Sequence, residues 1–345
     1  MTTPALDLLK TLLNVSSPSG REHQLAHVVT QLVRDIGFDT EQDPSGNVLV
    51  RLAGRDSSLP LRCYASHIDE LGMVVTKVEA DGTLRVKRSG GLYPFKLGEG
   101  PVDILGDERT ITGVLSMGSM HRADAANIAI KWSDVWVMTG FSAEKLAQLG
   151  IRPGTLLTPA NSRRGPVLFG DEADPLVGAW TFDDRLGAVC LLQLLQLMQQ
   201  NDWQPLAPTL FAFTVREEIG GLGAKSLCFA EKPEVFVAVD GSPMPPETNL
   251  SLDGRPCAWA KDRLAHYDYD LLMDAKRAAA SAGTDLQIAS FDSAASDASL
   301  VNYAGLAPRI ACIGHVRENS HGYEVIRLST IDNVVQTLRH FMALA

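Results

Sequence analysis

The sequence predicts an α/β fold: a mostly parallel sheet covered by helices on both faces, interrupted by a small β-rich insertion. Two observations carry this. Strand-like and helix-like segments alternate before residue 72 and again after residue 178, the pattern of parallel strands joined by crossover helices. Between them, short apolar runs are punctuated by Asp81-Gly82, Ser89-Gly-Gly91, Gly98-Glu-Gly100, Gly106-Asp107 and Arg152-Pro-Gly154, the composition of a small barrel or sandwich. Residues 1–72 and 170–345 therefore read as one domain and 73–169 as a second inserted into it. With 345 residues, 45% of them hydrophobic, the chain can bury a core in each.

Residues 21–36 form an amphipathic helix, with Leu25, Val28, Val29, Leu32, Val33 and Ile36 on one face and Gly37 as its stop. His23 and His27 stand four apart, as in a zinc-binding helix, but they project almost opposite Leu25 and belong to the solvated face. Strands are expected at 47–52 and 61–65, the second ending in Ser66-His-Ile-Asp-Glu-Leu-Gly72. Within the insertion only 143–149 reads as helix, capped by Ser142 and stopped by Gly150. Beyond 178, helices at 184–197, 222–229, 266–282, 296–303 and 329–344 alternate with strands at 209–215, 235–239, 286–290 and 309–313. Side chains at the carboxyl ends of such strands converge on one crevice.

A net charge of −10 and a pI near 5.3 exclude a basic nucleic-acid surface. The most apolar helical stretch, 189–198, is broken by Gln193 and Gln196, so no membrane span is expected. Cys63, Cys190, Cys228, Cys257 and Cys312 are scattered, with neither a CxxC pair nor a regular disulfide spacing. They read as thiols in a reducing cytosol. The N-terminus carries no basic segment followed by an apolar one. A soluble, cytoplasmic protein is the expectation.

The chemistry centres on Val215-Arg-Glu-Glu-Ile-Gly-Gly-Leu-Gly223. Glu217 and Glu218 leave a buried strand side by side and point to opposite faces, so they cannot flank one bond as an acid and base pair. They can share a metal site, one carboxylate binding the ion and the other facing the attacking water. Alone, the pair would read as solvated charge at a strand end. It is not alone: His67, Asp183-Asp184 and Asp240 each follow a β-like run or a turn into a helix, and His321 follows strand 309–313 after a short loop. Each has an ordinary explanation as a cap, a turn former or a loop residue. Gathered at one sheet edge, they match the needs of two divalent ions: one bridging carboxylate, then one His and one carboxylate for each ion. Three carboxylates against two dications leave one positive charge, which a hydroxide cancels.

The chain resembles the dinuclear metallo-aminopeptidases that include glutamyl aminopeptidase and the self-compartmentalising tetrahedral aminopeptidases. The resemblance runs from Ser17-Pro-Ser-Gly-Arg-Glu22 through Ser66-His-Ile-Asp-Glu-Leu-Gly72, Leu149-Gly-Ile-Arg-Pro-Gly154, Phe182-Asp-Asp-Arg-Leu-Gly187 and Val215-Arg-Glu-Glu-Ile-Gly220 to His321-Gly-Tyr-Glu324. It implies a zinc-peptidase-like α/β/α domain and a metal-dependent aminopeptidase with two divalent ions per subunit, zinc before cobalt or manganese. It implies that His67, Asp183 and Glu218 hold one ion and that Asp183, Asp240 and His321 hold the other. Glu217 is then the general base and Asp69 the carboxylate that orients His67. A cis peptide bond after Asp183 belongs to the same pattern. So do peptide substrates and a homo-oligomer, a dodecamer built from dimers or a dimer, with contacts made by the insertion. Two departures stand out: Arg317 precedes His321 by four residues where three are common, and Ala294-Ala-Ser-Asp-Ala298 replaces a Gly-Gly-Thr-Asp-Ala segment, leaving the role of Asp297 open.

Two rival functions remain at this stage. A dinuclear deacylase or carboxypeptidase acting on small amides would use the same ligands without needing a free α-amine. A glycosidase, a label some relatives have carried, would need two separated carboxylates and no metal.

Overall fold

The computed structural model describes residues 4–119, 121 and 129–344. The chain begins with α1 (Pro4–Leu13) and α2 (His23–Ile36), followed by β1 (Glu41–Gln42), β2 (Val48–Leu52) and β3 (Arg62–His67). Next come β4 (Gly72–Val78), β5 (Leu84–Ser89), α3 (Pro94–Leu97), β6 (Gly100–Leu105), β7 (Thr110–Ser116), β8 (Trp136–Met138), α4 (Ala143–Gln148) and β9 (Leu156–Pro159). The remainder is β10 (Val167–Phe169), β11 (Leu176–Trp180), α5 (Phe182–Asn201), β12 (Thr209–Thr214), α6 (Leu222–Glu231), β13 (Val235–Ala238), β14 (Ser242–Pro243), β15 (Cys257–Lys261), α7 (Tyr269–Ser281), β16 (Gln287–Ser290), α8 (Asp297–Tyr303), β17 (Arg309–Gly314), β18 (Val316–Arg317), β19 (Tyr323–Arg327) and α9 (Thr330–Phe341).

The large sheet has the order β1-β2-β12-β3-β13-β17-β15-β16. Its centre, β12-β3-β13-β17, is parallel throughout. Side chains along these strands alternate between two cores. Tyr64, Phe211, Phe213, Val235, Val237, Ala311 and Ile313 join α1, α2, α5, α7 and α9 on one face. Cys63, Ala65, Leu210, Ala212, Phe236, Ala238, Ile310 and Cys312 meet α6 and α8 on the other. This two-residue alternation is why each strand reads as continuously apolar: both of its faces are covered.

The short runs after residue 72 close into a barrel, β4-β5-β8-β7-β6-β9, around Met73, Val75, Val86, Val102, Ile104, Leu115, Val137 and Leu157. Part of the 73–169 segment, residues 120 and 122–128, lies outside the described residues. β10, β11 and β19 form a separate three-stranded sheet.

The local expectations can be checked residue by residue. Gly37 ends α2 at φ 111° and donates to the carbonyls of Arg34 and Val33, while His23 and His27 are exposed. Ser142 caps α4 by accepting from the Lys145 N–H. α3 corrects the reading of the insertion as having one helix only: a four-residue turn begins at Pro94, whose fixed φ suits a first helical position. α1 and β15 were not anticipated. α1 is short, and β15 runs antiparallel to β17 within an otherwise parallel region.

Candidate metal centre

The site is built at the carboxyl ends of the central strands. His67 is the last residue of β3 and pairs in register with Thr214, the last of β12. Glu217 and Glu218 follow three and four residues later, and Asp240 lies two beyond the end of β13. Asp183 and Asp184 stand at the head of α5, where the backbone is not yet helical and the Asp183–Asp184 peptide bond is cis. His321 is in the loop between β18 and β19. Thr181, Arg216 and His321 have φ of 65°, 60° and 60°, left-handed values that non-glycine residues adopt rarely.

One ligand atom each from His67, Asp183 and Glu218 falls within 4.8 Å of the others, as do atoms of His67, Asp184 and Asp240. His67 Nε2 is 3.1 Å from Asp183 Oδ1, and His321 Nε2 is 3.5 Å from Asp183 Oδ2. Asp183 thus faces a histidine with each oxygen. The first group is the set expected from the sequence for one ion, whereas Asp240 is grouped with His67 and not with His321. Asp184 is occupied otherwise: Oδ2 accepts from the Ser66 hydroxyl at 2.7 Å and Oδ1 from the Gly187 N–H at 3.1 Å.

Asp69, fully buried, ties the cluster together. His67 Nδ1 lies 3.4 Å from Asp69 Oδ1. The backbone N–H groups of Glu217 and Glu218 donate to Asp69 Oδ1 and Oδ2 at 2.9 and 3.2 Å, and Ser19 donates at 2.6 Å. One carboxylate therefore fixes both the imidazole and the backbone of the glutamate pair. His321 Nδ1 lies 3.1 Å from the Gly91 carbonyl, contributed by the loop after β5. His315, the other histidine near this strand end, is 1% exposed, and its Nε2 has no partner. Burial, aided by the nearby Arg317 charge, pushes its pKa down to about 3.

Several groups that bear on the site were assigned no role in it from sequence. Glu324 accepts from the Asp183 N–H at 2.9 Å and the His321 N–H at 3.2 Å. The buried Glu70 lies 2.9 Å from Arg164 and 3.6 Å from Arg185, and Arg185 donates to the Ile68 carbonyl at 2.6 Å. Arg317 approaches Asp183, Asp240 and Glu324. Glu324, Glu70 and Arg185 lie within the motifs that carry the resemblance, and Arg317 stood out only for its spacing from His321; Arg164, from a distant segment, leaves no local pattern. Asp297 accepts from Thr214 at 2.6 Å below the end of β12, and burial raises its pKa to about 7.

Electrostatically the cluster is short of positive charge. Burial, reinforced by neighbouring carboxylates, raises Asp184, Glu217 and Asp240 above the usual range and takes Glu218 up to about 8. Burial acts against a charged His321, yet Glu218 and Asp183 raise it to about 10; His67 is raised likewise against burial, by Asp183 and Asp69. Asp183 stays well below its ordinary value despite burial, because Arg317 and both histidines face it. Glu218 Oε1 is buried without a hydrogen-bond partner. Hard carboxylate oxygens and imidazole nitrogens, massed, repelling and partly unpaired, suit divalent cations. A cavity of about 470 Å³ opens over them, walled by Tyr93, Phe95, Trp259 and Leu300 with Lys96 and Arg263.

Comparison with known proteins identifies a family. The description "M42 glutamyl aminopeptidase" matches residues 46–337. The lysyl aminopeptidase of Pyrococcus furiosus is 29% identical over 241 residues, covering 68% of this chain and 65% of that protein. The glutamyl aminopeptidase of Lactococcus lactis subsp. cremoris is 28% identical over 245 residues, covering 69% and 66%. The chain thus spans just under two thirds of the length of these curated relatives. Among solved structures, the TET1 peptidase of Pyrococcus horikoshii, described as assembling into a tetrahedron or a large octahedral shell, superposes with a TM-score of 0.85 at 22% identity, covering 99% of both chains. With its strand-end histidines and carboxylates and a family match over most of its length, this chain belongs to the M42 glutamyl aminopeptidase family.

Proposed function

We propose that the protein is a metal-dependent aminopeptidase that removes the N-terminal residue of peptides at a dinuclear centre. The observation that carries this is Asp183 set between His67 and His321, one oxygen toward each, as a bridging carboxylate must be. We assign His67 and Asp240 to one ion with Asp183, and Glu218 and His321 to the other with it, although Glu218 also lies in one group with His67 and Asp183. The first pair falls within one 4.8 Å group, and Glu218 is the foremost of the charges that raise His321. When bound, the ions supply Lewis acidity to the scissile carbonyl and to water.

The remaining steps fall to side chains. Glu217, held through its backbone by Asp69, takes the proton of the attacking water and delivers it to the leaving amine. Asp69 keeps the His67 ring in place for its ligand role. The apolar walls of the cavity exclude bulk water from the reacting bond. Zinc, cobalt and manganese all accept this donor set, with zinc preferred. We divide the chain into a catalytic domain, 1–72 with 170–345, and an insertion, 73–169, that serves subunit contact and substrate access in a cytoplasmic homo-oligomer.

The test is a panel of aminoacyl chromogenic substrates assayed with each metal in turn, alongside N-acetylated counterparts. Cleavage that requires the free amine supports the aminopeptidase; equal cleavage of acetylated and free substrates would replace it with the deacylase. Loss of activity on exhaustive chelation would exclude the glycosidase.

A further inference from the structure

Arg317 is a buried cation inside the acidic cluster. It is 4% exposed and held by the pairing of β18 with β14. Nη2 donates to Asp183 Oδ2 at 2.5 Å. Nη1 lies 3.6 Å from Asp240 Oδ1, and Nε lies 3.0 Å from Glu324 Oε1. Among the described residues neither Nε nor Nη1 makes a hydrogen bond, so the guanidinium is held there largely by charge and less by a directed fork. Gly241 makes room for it: a Cβ at that position would stand 1.8 Å from Nη1. Guanidinium stays protonated at any working pH, so this charge is permanent.

The two oxygens of Asp183 are not equivalent. Oδ1 faces His67 alone, whereas Oδ2 faces both His321 and the Arg317 guanidinium. An ion bound with His321 on the Oδ2 side would share that oxygen with a fixed positive charge 2.5 Å away, whereas the other ion would meet the same charge more weakly, through Asp240 Oδ1 at 3.6 Å.

We propose that Arg317 is a resident counter-cation of the metal cluster. It keeps Asp183, Asp240 and Glu324 assembled when ions are absent, and it makes the two ion sites unequal by weakening the one shared by Asp183 and His321. Arg317 acts as a positioning residue, not a catalytic one. The inference rests on the two-ion reading above.

The experiment titrates chelator-stripped protein with Zn²⁺ or Mn²⁺, counting bound ions by equilibrium dialysis and elemental analysis, and follows the melting of stripped and loaded forms. In the wild type the first ion should bind at least about tenfold more tightly than the second, because like charges in a weakly screened interior repel strongly. R317M should tighten the second ion and close that gap. It should also lower the melting temperature of the stripped protein while leaving the loaded protein close to loaded wild type. R317K, which keeps the charge, should keep the gap. R317Q, with a planar amide against Gly241, replaces the methionine variant if that one does not fold.

Equal affinities in the wild type, weaker binding of either ion in R317M, or an equal loss of melting temperature in stripped and loaded forms would each overturn the proposal. A single ion at saturation in wild type and variant alike would remove the two-ion reading, and this inference with it.

Discussion

At Glu217 two demands meet. A general base must be ionised, yet this carboxyl is surrounded by burial and by the charges of Asp297, Glu218 and Asp240, which raise its pKa; His67 opposes them, and bound cations would oppose them further. Glu217→Gln keeps the shape and loses proton acceptance, so turnover should fall about 100-fold or more. Elemental analysis should still find two ions per subunit; near-full turnover would take the base role away from this residue. His321→Ala should lose one ion and nearly all activity, because its Nε2 faces Asp183. His315→Ala should keep both ions, since His315 is sealed behind Gly241 with its Nε2 unpartnered. The reverse metal counts would show that the loop assignment is wrong. Position relative to strand ends is what made His67, Asp183, Glu217, Glu218 and Asp240 legible in sequence, since local pattern locates a strand end. The partners of these residues were not legible in the same way. Arg317 in β18, Glu324 in β19 and Arg164 in the linker after the barrel come from segments distant in sequence from most of the cluster, and Arg185, beside Asp184 in α5, meets Glu70 only through tertiary packing.

Among the elements, the loop that carries the glutamate pair is clipped shut at its base. The Asn47 side chain accepts from the Val215 N–H and donates to the Gly223 carbonyl, each at 3.0 Å. The Gly223 N–H closes onto the Val215 carbonyl at 3.0 Å. Gly223 has no room for a side chain: a Cβ would stand 2.4 Å from both the Asn47 Oδ1 and the Val215 carbonyl oxygen. Gly223→Ala should therefore displace Glu217 and Glu218, lowering metal content and turnover together, and unaltered values for both would refute that coupling. α7 offers a control far from the chemistry. Its N-cap Asp268 accepts from the Leu271 N–H and is gripped by Arg309 at 2.7 and 3.2 Å. Arg309 comes first among the causes that hold the Asp268 pKa below its ordinary value. A depressed carboxylate contributes stability that is full above its unfolded pKa and is lost as pH falls through its folded one. Asp268→Ala should then cost about 1 kcal/mol or somewhat more at neutral pH, a difference that urea unfolding should find shrinking below pH 4. Helices and strands of the repeating α/β pattern were readable to within a few residues. α1 and β15 were not: α1 precedes the first strand, outside the strand-helix alternation, and β15 runs antiparallel to β17.

For the whole molecule, the barrel and the small sheet decide what surrounds the site. The barrel was expected from the density of turn signals, but its contribution of the Gly91 carbonyl against His321 depends on closure and could not be read from the turns. Chelation should be felt globally, since ions that bind only the folded chain stabilise it by about 2.7 kcal/mol when present at 100 times their dissociation constant. Scanning calorimetry should show a lower melting temperature after stripping and its recovery on re-addition of metal. Assembly is tested at β10, the edge strand of the small sheet. Val167, Leu168 and Phe169 are 52%, 41% and 45% exposed, three consecutive apolar side chains beside a strand edge that is unpaired among the described residues. Such an edge on an isolated protein invites pairing and is normally blunted by charge or proline; Pro166 immediately precedes it, and no charge interrupts it. If copies of the chain cover it, replacing Leu168 and Phe169 together with Asp should reduce the mass found by light scattering at micromolar concentration. The large sheet is remote from this edge, so the circular dichroism of the folded chain should be retained. A wild-type protein that is monomeric under the same conditions would refute the homo-oligomer, and an assembly unmoved by the double substitution would shift its contacts from β10 to another surface.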